Sequence, residues 1–404
     1  MTYLKGSSHM NIQFSDRIST VKASAIREIL KYTADPKVIS FAAGNPAPEA
    51  FPTGDVARIT SDILQKDPIA ALQYSITEGY TPLRETLKDY LRSHNGIGRA
   101  DDDLIIVSGA QQGLEMTAKI LCNEGDTVIC EYPSFVGALN AFKSYGANLV
   151  GVELEQDGMD LNQLEAALQQ NPNTRFIYII PNFQNPSGIT TSLAKRKAIY
   201  ALAKQYGVFI LEDNPYGELR FAGEDVPSIK SFDEDGIVIY CGSFSKILSP
   251  GLRVAFVCGP KAITGKLVVA KQAGDVHTNI LAQMICHRFM TECDMDAHIA
   301  RLREIYRHKS GLMLREIDWE FSPRVTHTVP QGGLFLWCTL PEGSDMMAFC
   351  NTAVRRNVAV VPGTAFLPSE DDPTTSVRLN YSTPTDEQIV EGIKILGQLT
   401  KELF

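Results

Sequence analysis

The sequence predicts an α/β protein: a three-layer large domain with a mostly parallel sheet, plus a smaller α+β domain. Three observations lead there. From about residue 100 to 258, short apolar runs rich in β-branched residues alternate with helical patterns. That is how strands buried on both faces and joined by crossover helices read. After about residue 295 the pattern changes to a long charged helix followed by short strands. Several of the expected strand ends run into polar turns containing Gly or Pro, and ligands bind at strand ends in open α/β sheets.

In chain order, residues 1–9 include Gly6-Ser7-Ser8-His9 and read as an expression-vector remnant, with Met10 as the natural start. Residues 10–45 are expected to form an N-terminal arm and part of the small domain. Within them, 21–31 has apolar residues at helical spacing, and 39–46 reads as a short strand running into a turn. Residues 46–295 would form the large domain, with strands at 104–108, 127–131, 148–152, 175–180, 208–212, 237–241 and 254–258. Residues 296–404 would complete the small domain. An amphipathic helix is expected over 296–316, a hairpin-like strand over 332–337, and a last strand over 377–381.

Composition narrows the function. Of 404 residues, 44% are hydrophobic and 21% charged, which fits an ordinary globular protein. Lys and Arg number 38 against 47 Asp and Glu, a net charge of −9 without a basic run. Nucleic acid and anionic membrane are therefore poor candidates for the main partner. No apolar run approaches the ~18 residues of a membrane span, and no signal peptide opens the chain, so a soluble cytoplasmic protein is expected. Eight scattered cysteines without a CxxC pair read as reduced structural thiols. The histidines show no metal-ligand spacing, and no bound metal is expected.

Five segments carry chemistry. Ser243-Phe244-Ser245-Lys246 follows a strand directly, with Arg253 just beyond. A lone lysine there is usually a surface residue, but two hydroxyls and an arginine suit a phosphate beside a reactive amine. Cationic neighbours and desolvation would lower the amine pKa and make it a better nucleophile toward an aldehyde. The same residues match the Ser-x-x-Lys motif of serine acyl enzymes, whose companion Ser-Asp-Asn and Lys-Thr-Gly motifs are missing from the chain. Ser108-Gly109-Ala110-Gln111 ends a strand and begins a helix, where free N–H groups favour an anion. No GxGxxG fingerprint occurs, which counts against a nicotinamide dinucleotide.

Glu212-Asp213-Asn214-Pro215-Tyr216 puts carboxylates at a strand end, although a capping or turn Asp would read the same way. Asn182-Phe183-Gln184-Asn185-Pro186-Ser187-Gly188 is either a plain Pro/Gly loop or a set of amides at a site. Arg378, inside an expected strand, is either an ion-pair partner or a planar fork for a carboxylate.

Taken in order, Asn-Pro-x-Gly at 185–188, Asp-x-Pro-Tyr at 213–216, Ser-x-Ser-Lys at 243–246, Gly-Leu-Arg at 251–253 and the late Arg378 resemble the class I/II aminotransferases of fold type I. The resemblance runs from about residue 17 to the end. Ala23-Ser24-Ala25-Ile26-Arg27-Glu28 followed by Phe41-Ala42-Ala43-Gly44-Asn45-Pro46 looks like the branch with 2-aminoadipate and kynurenine aminotransferases. It implies pyridoxal 5′-phosphate as cofactor and transfer of an L-amino acid's amino group to 2-oxoglutarate by a ping-pong mechanism. The donor would be 2-aminoadipate, an aromatic or a branched-chain amino acid.

It further implies roles. Lys246 would be the Schiff-base lysine and proton shuttle, and Asp213 the partner of the pyridine nitrogen. Asn185 and Tyr216 would bond the ring 3′-oxygen, and Phe135, where some relatives carry Tyr, would stack on the ring. Ala110, Gln111, Ser243, Ser245 and Arg253 would surround the phosphate, with one hydroxyl fewer than in relatives that have Ser at the position of Ala110. Arg378 would clamp the substrate α-carboxylate beside Asn185 and Gly44. Tyr74 would reach the phosphate of a neighbouring subunit, so a homodimer with shared sites is implied. Arg27 would meet a distal carboxylate, or would be an ordinary exposed charge.

Two other readings stay open. A β-lyase or decarboxylase would use the same fold and lysine. A regulator carrying this fold as its effector domain would need an N-terminal DNA-binding domain, and only about thirty natural residues precede Phe41.

Overall fold

The structure is a computed structural model that describes residues 14, 15, 18, 35–369 and 371–404. A two-residue strand, β1 (Ile39–Ser40), comes first. Eight strands then build one sheet: β2 (Asp102–Val107), β3 (Thr127–Tyr132), β4 (Asn148–Glu155), β5 (Gly158–Met159), β6 (Thr174–Ile179), β7 (Phe209–Asn214), β8 (Val238–Ser243) and β9 (Ala255–Pro260). Their order is β2-β9-β8-β7-β6-β3-β4-β5. The run from β8 to β4 is parallel, while β9 is antiparallel to both its neighbours and β5 is antiparallel to β4.

All seven expected strands are present with ends shifted by a few residues, and β5 is an addition. The central strands β6, β7 and β8 bury nearly every residue, as a sheet covered by helices on both faces requires. Burial on both faces fails at β4, where only Val152 is buried. Only the two-residue β5 lies beyond it, so the helical layers have little left to cover.

The rest of the chain adds β10 (Thr326–His327), β11 (Phe335–Thr339), β12 (Val358–Ala359), β13 (Val361–Pro362) and β14 (Ser376–Asn380). Four of these form an antiparallel sheet in the order β10-β11-β14-β13. β1 pairs in parallel with β12, and Asn380 N donates to Phe41 O at 2.8 Å, so the early segment is stitched to the late one. The expected charged helix spans Met295–Glu320, with Asp294 accepting from Ala297 N as its cap. It packs on the final helix, Asp386–Leu403, which opens with a Thr385/Gln388 capping box. One apolar cluster runs from Val128 and Tyr178 in the large sheet to Leu336 and Leu379 in the small one. The carboxyl ends of β2, β6, β7 and β8 therefore face a wall made by β11, β14 and the turn after β1. Among the described residues, no helix is long and apolar enough to cross a membrane.

Candidate active site

At that junction lies a cavity of about 360 Å³, within the usual size range of small-molecule sites. Twelve of the fourteen residues singled out from the sequence line it. They come from four strand ends, two helix starts and the late β14.

The acidic group sits in β7. Asp213 is 2% exposed, and its Oδ2 accepts from the Tyr178 hydroxyl at 2.9 Å. Its Oδ1 is buried and has no hydrogen-bond partner among the described residues. Burial raises the carboxyl to about 7, with the Tyr178 bond pulling the other way. A buried carboxylate oxygen without a donor is costly. At the lining of a cavity it asks for a ligand N–H, which a protonated pyridine ring supplies.

The basic groups stand opposite. Lys246 Nζ donates to Gly44 O at 2.7 Å. Its pKa is pushed down to about 8, first by lost hydration and then by the charges of Arg378 and Arg253. Arg378, in β14, is 3% exposed, and burial lowers it to about 10. Nη1 donates to Asn185 Oδ1 at 2.9 Å and Nη2 to Ala42 O at 2.8 Å, while Nε is buried without a partner among the described residues. The guanidinium lies 4.3 Å from the Phe335 ring centroid and 4.9 Å from that of Phe366. Both its fixed partners are neutral, so the fork is held flat and in place with its charge uncompensated, which suits a carboxylate.

A third corner collects anion donors. The helix Ala110–Leu121 starts after Gly109, whose φ of +82° turns the chain sharply and which, lacking a side chain, leaves the first N–H groups uncapped by it. Arg253, itself at φ +55°, donates through Nη2 to Ser108 O at 3.2 Å. Ser243 Oγ accepts from Ser245 N at 3.0 Å, which orients the first hydroxyl of the lysine motif. Phe135 caps the helix Val136–Lys143, next to which Gln111 Nε2 donates to Gly137 O at 2.7 Å. Tyr216, 5% exposed, shares a hydrogen bond with the Asn185 side chain and meets the Phe335 ring edge-on at 5.9 Å. Burial raises its hydroxyl well above the usual tyrosine value.

Two singled-out residues lie elsewhere. Tyr74 is 82% exposed and outside the cavity, with its ring edge-on to His277 at 5.8 Å. Arg27 falls outside the described residues. The sequence did not point to Tyr178, Phe335 or Glu131. Tyr178 is the one hydroxyl in the otherwise apolar end of β6, and Phe335 follows the paired Gly332-Gly333. Both are faint signals until the strands are aligned. Glu131 is fully buried at the end of β3, where its Oε2 accepts from Ile180 N and Gln184 Nε2, both at 3.1 Å. Gln184 Oε1 in turn accepts from Ser187 N and Oγ, so the loop carrying Asn185 is braced on both sides.

A family model described as aminotransferase class I and II matches residues 36–396. An aromatic-amino-acid aminotransferase of Thermococcus litoralis is 42% identical over 394 residues, covering 96% of this chain and 94% of the relative. A 2-aminoadipate transaminase of Thermus thermophilus is 40% identical, with 97% of each chain covered. A solved α-aminoadipate aminotransferase from Thermus thermophilus, complexed with N-(5′-phosphopyridoxyl)-L-leucine, superposes with a TM-score of 0.89 at 38% identity. It covers 96% of this chain and 97% of that one.

Proposed function

Because the chain belongs to the class I and II aminotransferase family, and its chemistry is pyridoxal-phosphate-dependent amino-group transfer, we propose that it moves the amino group of an L-amino acid to 2-oxoglutarate in two alternating half-reactions. The observation that carries the reading is the partnerless Asp213 Oδ1 in the same cavity as the Lys246 amine. When bound, the cofactor withdraws electron density from the amino acid Cα through its protonated ring.

The residues divide the rest of the work. Asp213 accepts the ring N–H and keeps that nitrogen protonated. Lys246, partly neutral near pH 8, would hold the cofactor through its amine and, when free, would move the proton at the substrate Cα. Asn185 and Tyr216 would hold the cofactor's 3′-oxygen, and Phe135 would pack on its ring. The N–H groups of Ala110 and Gln111, with Ser243, Ser245 and Arg253, take the phosphate. Arg378 grips the substrate α-carboxylate through Nε and its remaining N–H groups. Gly44 and Asn185 border the same substrate, which fixes the Cα–H bond for cleavage.

Relatives named for aromatic amino acids and for 2-aminoadipate, and a solved relative complexed with N-(5′-phosphopyridoxyl)-L-leucine, support a broad donor range of aromatic, branched-chain and acidic amino acids. Arg27 would serve the distal carboxylate of the acidic ones. The enzyme would work in the cytoplasm as a homodimer with shared sites, Tyr74 of each chain reaching the other's phosphate. Exposed Ile69, Leu72, Tyr74 and Ile76 give that contact an apolar surface.

Single-turnover chemistry tests the reading. Loaded enzyme mixed with one amino acid and no acceptor should release one oxo acid per site and retain the nitrogen. Adding 2-oxoglutarate should then release glutamate. Carbon dioxide or free ammonia as the first product would make the protein a decarboxylase or lyase instead.

A further inference from the structure

Behind the anion corner lies a charged cluster, a buried lysine paired with a partly exposed aspartate, that touches none of the groups assigned above except through Ser108. Lys271, near the end of the helix Lys261–Gln272, has a side chain with 0% exposure. Its Nζ donates to Asp275 Oδ1 at 2.8 Å, Asp275 Oδ2 at 3.0 Å and Gln112 Oε1 at 2.7 Å. Both acceptor residues then hold Ser108: Gln112 Oε1 accepts from Ser108 N at 2.7 Å, and Asp275 Oδ2 accepts from Ser108 Oγ at 2.7 Å. The carbonyl of that same residue receives Arg253 Nη2. The guanidinium is pressed so closely on Gly109 that a Cβ there would stand 1.9 Å from Nη2.

We propose that the Lys271–Asp275 ion pair is a positioning device for the cofactor phosphate: it fixes Ser108, and Ser108 fixes Arg253 and the start of the helix Ala110–Leu121. The inference rests on the reading above that this corner takes the phosphate. Its physical basis is that a site whose one charged donor is an exposed arginine, beside two hydroxyls and a few backbone N–H groups, holds an anion well only if those donors are set in place beforehand. An arginine side chain left to itself samples many rotamers. Here one of its bonds goes to a carbonyl whose own residue is clamped through both N–H and hydroxyl. The ammonium and the carboxylate balance each other, so the cluster orients the corner without setting a free negative charge beside the phosphate.

The test compares binding of pyridoxal 5′-phosphate and of phosphate-free pyridoxal to the cofactor-free protein, by absorption titration. Asp275→Asn should raise the Kd for pyridoxal phosphate about tenfold or more and leave that for pyridoxal within about twofold. Ser108→Ala, which removes only a hydroxyl, should show the same selectivity at smaller size, and it carries the test if Asp275→Asn fails to fold. Equal weakening of both ligands, or no weakening of either, overturns the inference. Arg253→Ala separates the two levels. If it weakens pyridoxal phosphate selectively while both cluster variants do not, only the positioning role falls. If Arg253→Ala has no selective effect, the phosphate reading itself falls.

Discussion

Arg378 and Asp213 are each buried with an unpaired polar atom facing a cavity, and each is expensive for the folded chain unless a ligand arrives. These single residues were legible in the sequence because of their places, Asp213 in Asp-x-Pro-Tyr at a strand end and Arg378 inside an expected late strand. Glu131 was not, because its role depends on β3 and β6 lying side by side. It is also the residue with the clearest pH signature. Burial raises its carboxyl from 4.5 to about 8, and that of Asp213 from 3.8 to about 7. Between those values the folded chain keeps protons that the unfolded chain has released. Stability from both groups is thus full below about pH 4, falls as pH rises, and is lost above about pH 8. The Tm of the cofactor-free protein should fall over that window, and Glu131→Gln should flatten part of the slope. Arg27 gives a second prediction at this scale. Arg27→Gln should raise KM for 2-aminoadipate at least tenfold and leave leucine and phenylalanine nearly unchanged, since only the acidic donor loses a charged partner. Steady-state kinetics on the three donors decides it.

The elements were legible where one physical signal dominates. Strands β3, β6, β7 and β8 each carry a run of three or more apolar residues because they are covered on both faces, and their place in the sequence follows directly. β5 was missed because two residues carry no period. The direction of β9 was not legible either: an antiparallel strand buried between β2 and β8 looks in sequence like its parallel neighbours. The turn from β2 into the helix Ala110–Leu121 is the element on which the anion corner depends. Gly109→Ala there would strain a φ of +82° and drive a methyl into Arg253. It should cost about 1–2 kcal/mol in stability and weaken cofactor binding more than any substrate constant. Thermal unfolding together with cofactor titration would show both effects.

At the scale of the molecule, the chain closes its cavity by bringing the segment after β1 and the late β14 against the ends of the large sheet. The sequence pattern suggested a small domain drawing on both chain ends; that these ends line the cavity was implied only by the resemblance to a family. The exposed stretch through Ile69, Leu72, Tyr74 and Ile76 extends the same logic outward. On the proposed homodimer, a single Leu72→Glu should shift the protein from twice the chain mass to the chain mass in light scattering, with loss of transaminase activity. All of this depends on one lysine being where the cofactor is held, and borohydride reduction of the loaded enzyme followed by peptide mass mapping tests that most directly. One reduced adduct per chain, on Lys246 alone, is the predicted result. An adduct on another lysine, or none in protein that still turns over, would contradict the account.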